Sequence, residues 1–149
     1  MACVFKKVLF IDDDPVQNDL CTYVVETLPN CNELEILSFT NPEEGFQYIA
    51  TTCSQHPVTT VLFLDVNMPE LTGWDVLEKM KELNNETLQH ITTYILSSSI
   101  DIADIRKAAA HPLVKGFISK PLTSHLQRIF TDTINDNKLK LQESINRNT

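Results

Sequence analysis

The chain has 149 residues, 42% apolar and 21% charged, the balance of one folded domain of ordinary size rather than a disordered tract. Its net charge of −8 and its scattered basic residues argue against a nucleic-acid partner, because phosphate backbones favour clustered Lys and Arg. No apolar run is long enough to span a bilayer. Lys6-Lys7 and the three aspartates that follow the next apolar run are foreign to a signal peptide, so the expected location is cytoplasmic.

Short apolar runs alternate with amphipathic segments, which predicts an α/β fold with a parallel sheet. The first strand covers about 6–11. Asp14-Pro15 supplies an N-cap and a first-turn proline for a helix to about Leu28, with Leu20, Val24 and Leu28 as its core stripe. Residues 34–39 read as the second strand. Asn41-Pro42-Glu43-Glu44 opens a second helix with acids at its positive end. The third strand, about 60–64, is apolar apart from its start, as suits a strand covered on both faces. A helix follows Gly73 with Val76, Leu77 and Met80 inward, and Tyr94-Ile95-Leu96 makes the fourth strand. Asp101 caps a helix through Ala110, with Asp104 placed to complete a capping box. Phe117-Ile118 lie in the fifth strand. Residues 122 to about 136 form a last helix carrying Leu126, Ile129, Phe130 and Ile134. One domain over 1–136 is expected, with 137–149 a polar tail or an extension of that helix.

Three strand ends carry the chemistry. Asp12, Asp13 and Asp14 follow Val8-Leu9-Phe10-Ile11; Asp65 follows Val61-Leu62-Phe63-Leu64; Lys120-Pro121 follows Gly116-Phe117-Ile118-Ser119. In an open parallel sheet the carboxyl ends of the strands line one crevice, where ligands bind. Carboxylates and a lysine gathered there suggest a divalent metal and phosphoryl chemistry. Cys3, Cys21, Cys31 and Cys53 lack the spacing of a zinc or redox motif and read as small buried or surface residues. His56, His90, His111 and His125 share no motif and read as surface or boundary residues.

The acidic run, the stretch Asp65-Val66-Asn67-Met68-Pro69 with Gly73 after it, and Lys120-Pro121 resemble, in that order, the receiver domain of two-component response regulators. The resemblance covers about 5–136. It implies a flavodoxin-like, doubly wound (βα)5 fold with a five-stranded parallel sheet, and a signalling protein rather than an enzyme with a turnover substrate. Asp65 would be the phosphoacceptor. Mg²⁺ would be held by Asp12, Asp13, Asp65 and the backbone carbonyl of Asn67, with Asp14 left to cap the first helix. Lys120 would balance charge at the phosphoryl group. The switch hydroxyl after the fourth strand maps to Ser97 counting forward from Leu96, or to Ser98 counting back from Lys120. We take Ser97, which puts Ser98 at the small-residue position beside it and leaves Ser99 as a polar loop residue. Phe117 occupies the aromatic switch position, without the hydroxyl many members carry, and would turn inward on phosphorylation. The long span between Asp13 and Asp65 points to a lengthened stretch around 51–60, remote from the site.

The implied type is a single-domain response regulator. A sensor histidine kinase or a histidine phosphotransfer protein would be the donor, and a downstream protein the target. A homodimer through the 101–110 helix, the fifth strand and the last helix is left open. One rival uses the same acids: Asp12-Asp13-Asp14-Pro15-Val16 also resembles the nucleophile motif of haloacid-dehalogenase-type phosphatases, with Asp12 as nucleophile and Asp14 as acid/base. That reading leaves Asp65 unexplained.

Overall fold

The computed structural model describes residues 3–29, 31–99, 101–122 and 128–130. Five strands, β1 (Lys7–Ile11), β2 (Glu35–Phe39), β3 (Thr60–Leu64), β4 (Ile91–Ser97) and β5 (Val114–Ser119), form one sheet in the order β2-β1-β3-β4-β5, every pair parallel. This is a doubly wound, flavodoxin-like sheet whose order reverses between β1 and β3, where a crevice opens at the carboxyl ends. The central strands β1 and β3 are buried at every position, which explains their unbroken apolar runs; the edge strand β2 is only partly covered.

Alternation along the strands divides the core into two. Leu9, Ile11, Leu62, Leu64, Ile95 and Phe117 point to one face, while Val8, Phe10, Val61, Phe63, Tyr94 and Ile118 point to the other. Helices α2 (Pro42–Tyr48), α3 (Gly73–Met80) and α5 (Ile102–Ala110) cover the first face, and α1 (Pro15–Glu26) covers the second with Ile129 and Phe130. Val76, Leu77 and Met80 are the buried side of α3, as their spacing predicts. Residues 128–130 are helical, with Ile129 and Phe130 buried. The rest of the expected last helix beyond Leu122, with Leu126, Ile134 and His125, lies outside the described residues, as does the 137–149 tail.

Two local expectations are corrected, and one helix is added. The inward side of α1 is Asn18, Cys21 and Val25; Leu20 is 55% exposed, and Val24 and Leu28 only border the core. Asn18 turns inward because its amide donates to the backbone oxygen of Asp12 at 3.0 Å. The capping box lies at Thr72 and Asp75 at the start of α3, whereas Asp104 accepts from Ser99 Oγ at 3.1 Å instead of closing a box with Asp101. A short helix before β4, α4 (Asn85–Gln89), has no counterpart in the sequence reading. The lengthened stretch begins as a π-helical turn over Ile49–Cys53 directly after α2, and it reaches the amino end of β3, away from the crevice.

Candidate functional site

Asp12 and Asp65 are the residues next after two neighbouring, register-paired strands. The Asp65 N–H donates to Ile11 O at 2.9 Å, and the Asp12 N–H donates to Phe39 O at 3.1 Å, so both backbones are locked to the sheet's end. Among the described residues, Asp12, Asp13 and Asp65 bring carboxylate oxygens within 4.8 Å of one another. Asp12 and Asp65 are 5% exposed; Asp13 is exposed. Asp14 faces away, accepting from the Val16 N–H at 3.0 Å as the cap of α1.

Lys120 reaches this cluster from the end of β5, held by its N–H to Ser97 O at 2.9 Å. Its Nζ lies 2.6 Å from Asp12 Oδ2 and 3.7 Å from Asp65 Oδ1. Burial alone would lower its pKa, but the Asp12 hydrogen bond and the charges of Asp65 and Asp12 reverse that, so it stays protonated. One ammonium cannot balance three acids. Burial first, and then the Asp12 charge, push the Asp65 pKa up to about 6, against the pull of Lys120 and a hydrogen bond from the Asn67 N–H. The donor set of three hard carboxylate oxygens with excess negative charge suits a small divalent cation such as Mg²⁺.

The loop after Asp65 is shaped by Gly73. A Cβ there would lie 2.3 Å from Asp65 O and 2.9 Å from Val66 Cα, so only glycine lets α3 start against the end of β3. The Gly73 N–H donates to Val66 O at 3.2 Å, and the Thr72–Asp75 box holds the turn closed. The T-x-x-D pattern just before Val76-Leu77 was a readable signal for that box. A cleft of about 530 Å³ opens beside Asp13, between the loops after β1, β2 and β3.

Of the serines, Ser97 is buried at the end of β4, next to the strand end that carries Lys120; Ser98 is exposed. Ser97 Oγ accepts from the Ser99 N–H at 3.1 Å, and Ser99 Oγ accepts in turn from the Asp101 N–H at 3.2 Å. Ser99, read as a plain loop residue, thus joins the end of β4 to the start of α5. Phe117 is already inward at 6% exposure, packed in the core on the α5 side. Asn18, holding the Asp12 backbone, is a site-shaping residue that the sequence did not flag; apolar periodicity has no signal for a buried amide.

A family model, the response regulator receiver domain, matches residues 8–131. The chain belongs to this family. A receiver is a phosphoacceptor signalling protein that works with a histidine kinase or a phosphotransfer protein. The response regulator SaeR of Staphylococcus epidermidis is 32% identical, over a stretch covering 39% of this chain and 32% of that protein. The chain therefore matches about a third of the curated relative's length. A response regulator receiver protein from Dyadobacter fermentans superposes with a TM-score of 0.73 at 22% identity, over 83% of this chain and 92% of that one. A two-component response regulator from Cytophaga hutchinsonii gives 0.69 at 25% identity, over 96% and 98%. The phosphatase alternative finds no support, and Asp14, its acid/base, is engaged as a helix cap. No described helix is long and apolar enough to cross a membrane.

Proposed function

We propose that Asp65 is the phosphoacceptor of this receiver, with Mg²⁺ held by Asp12, Asp13, Asp65 and the carbonyl of Asn67. The observation that carries this is the position of Asp65: a buried carboxylate between two further acids and a lysine, at the mouth of the crevice. In the transfer, an oxygen of Asp65 forms the new bond to phosphorus as the donor's imidazole nitrogen leaves. The metal would supply charge neutralisation between the incoming phosphoryl oxygens and the carboxylates. Lys120 sits within reach of the same space, and its ammonium offsets charge on the phosphoryl group. The mixed anhydride on Asp65 is open to hydrolysis, which makes the signal reversible and needs no separate substrate.

Ser97 is the hydroxyl we assign to the phosphoryl group. Turning toward it releases the Ser99 N–H, and Ser99 is bonded to Asp101 and Asp104 at the start of α5. That relay carries the change to the surface built from α5 and β5, where a downstream protein or a second copy docks. Phe117 supports this face from within and is already in the inward position. On the donor side, Val16, Leu20 and Tyr23 form an exposed apolar stripe along α1, at 63%, 55% and 69% exposure, running from the residue that caps the helix beside the acids. A protein donor that brings its phosphohistidine to Asp65 covers this stripe.

The deciding experiment is incubation with acetyl phosphate and Mg²⁺ followed by intact mass. We expect one phosphoryl group on the wild type and none on Asp65→Asn. Labelling that survives Asp65→Asn and is lost in Asp12→Asn would overturn the assignment.

A further inference from the structure

Every polar atom of Asp12 is engaged, and one of its partners has no chemistry of its own to perform. The Asp12 N–H donates to Phe39 O at 3.1 Å, Oδ1 accepts from the Asp14 N–H at 3.0 Å, and Oδ2 accepts from Lys120 Nζ at 2.6 Å. The remaining atom, the backbone oxygen, accepts from Asn18 Nδ2 at 3.0 Å. That oxygen belongs to the planar peptide linking Asp12 to Asp13, so the Asn18 amide sets the plane from which the second acid projects. Asn18 is 3% exposed, on the face of α1 that also buries Cys21 and Val25. A side chain needed only to fill that space would be apolar like its neighbours, because a buried amide is costly unless hydrogen-bonded. The Asn18 N–H donates to Asp14 O at 3.2 Å, closing the first turn of α1, and Nδ2 also reaches Phe39 O at 3.5 Å. One residue thus holds the backbone of Asp12 and of Asp14, with Asp13 strung between them.

We propose that Asn18 is a positioning residue for the divalent cation: by clamping the Asp12–Asp13 peptide it presets two of the carboxylates that receive the metal. It touches neither metal nor phosphoryl group and acts only through the backbone of Asp12. Asp13 depends on it most. That side chain is exposed at the rim, so its direction follows from the backbone that carries it rather than from packing. With the clamp removed, the Asp12–Asp13 step must be ordered when the cation arrives, and the entropy of that ordering is subtracted from binding. Partners that orient metal ligands from behind commonly account for about 10- to 100-fold in affinity.

This inference rests on the reading of Asp65 and Mg²⁺ above, and its test separates the two. Calorimetric titration of the full chain with Mg²⁺ gives a dissociation constant; acetyl-phosphate labelling across Mg²⁺ concentrations gives a midpoint and a limiting rate. Asn18→Leu, similar in size but unable to donate, should raise the constant and the midpoint by about 10- to 100-fold, with the rate recovering as Mg²⁺ rises. Asn18→Asp should also weaken binding although it adds a negative charge, which by proximity alone would tighten it. Val25→Ala, a cavity on the same face of α1 but away from the acids, controls for lost stability and should leave the Mg²⁺ constant unchanged. In the wild type, the Asn18 side-chain amide should shift in NMR spectra along the Mg²⁺ binding curve, a readout that requires no variant to fold. An unlabelled wild type, or labelling that proceeds in EDTA, overturns the reading of the site itself. Wild-type labelling with an unchanged Mg²⁺ constant in Asn18→Leu, tighter binding in Asn18→Asp, equal weakening in Val25→Ala, or an Asn18 amide indifferent to Mg²⁺ would each overturn the positioning role alone.

Discussion

The two ends of the sheet each draw a lysine largely out of water, and the difference between them separates scaffold from candidate site. At the amino end, Lys7 donates to Tyr48 Oη at 2.6 Å, pairs with Glu35 at 3.3 Å and lies 4.9 Å over the Tyr48 ring. One cation meets one carboxylate, a phenol and an aromatic face, and Glu35 keeps 59% of its side chain in water. The account closes with nothing left over. At the carboxyl end, Lys120 faces Asp12 and Asp65 with Asp13 beside them, and one carboxyl is driven up to about 6. Charge there is left unbalanced, as the proposed uptake of a cation and a phosphoryl group would require. A buried lysine alone indicates neither; the surplus of acids around it does.

The comparison breaks most sharply through Asp65→Asn, which should abolish acetyl-phosphate labelling, whereas Lys7→Met should leave it intact. Removing Mg²⁺ with a chelator should do to the wild type what Asp65→Asn does. If labelling proceeds in EDTA, the acids serve some purpose other than a metal. Next in size, Lys120→Met should slow labelling by about 10²-fold, the usual loss for one charge-stabilising donor, without unfolding the chain. Leu20→Glu on α1 should slow transfer from a protein phosphodonor by tenfold or more, on the order expected for a charge placed in an apolar interface, while acetyl-phosphate labelling stays at the wild-type rate. Equal slowing with both donors would remove the stripe from the docking surface.

A smaller effect concerns pH. The folded pKa of Asp65, about 6, stands above its ordinary 3.8, so folding favours the neutral carboxyl. Stability from this group is therefore full below about pH 4 and lost as pH rises through about 6, a cost of roughly 3 kcal/mol for two units. In metal-free protein, Asp65→Asn should then raise unfolding free energy at neutral pH by up to about that amount, with the gain vanishing in acid. Urea denaturation across pH checks it; a constant difference would assign the effect to packing. Smallest of all, Lys7→Met should cost about 1 kcal/mol, the worth of one neutral hydrogen bond plus a screened ion pair, with no change in labelling.

The strand ends were readable because strand burial and chemistry coincide in the sequence: four apolar residues and then an acid locate Asp12 and Asp65 without knowledge of any contact. Gly73 was readable only as part of a motif, since its reason, a clash with the Asp65 carbonyl, exists in three dimensions alone. The face of α1 was misread for the opposite reason. Leu20 is apolar and exposed, while Asn18 is polar and buried on the Asp12 carbonyl, so hydrophobic spacing pointed to the wrong side. The π-helical turn at Ile49–Cys53 and the five-residue α4 were hidden because so short a segment leaves too few positions for a period to show.

The close seating of Gly73 has an optical consequence. The next residue, Trp74, is the chain's one tryptophan, and the Lys107 ammonium of α5 lies 4.7 Å over its ring. The indole is therefore tied on one side to the residue packed against the Asp65 carbonyl and on the other to α5. Its emission reports on both at once. Metal loading or phosphorylation that shifts α3 against α5 is open to steady-state fluorescence on the unlabelled, unmodified chain.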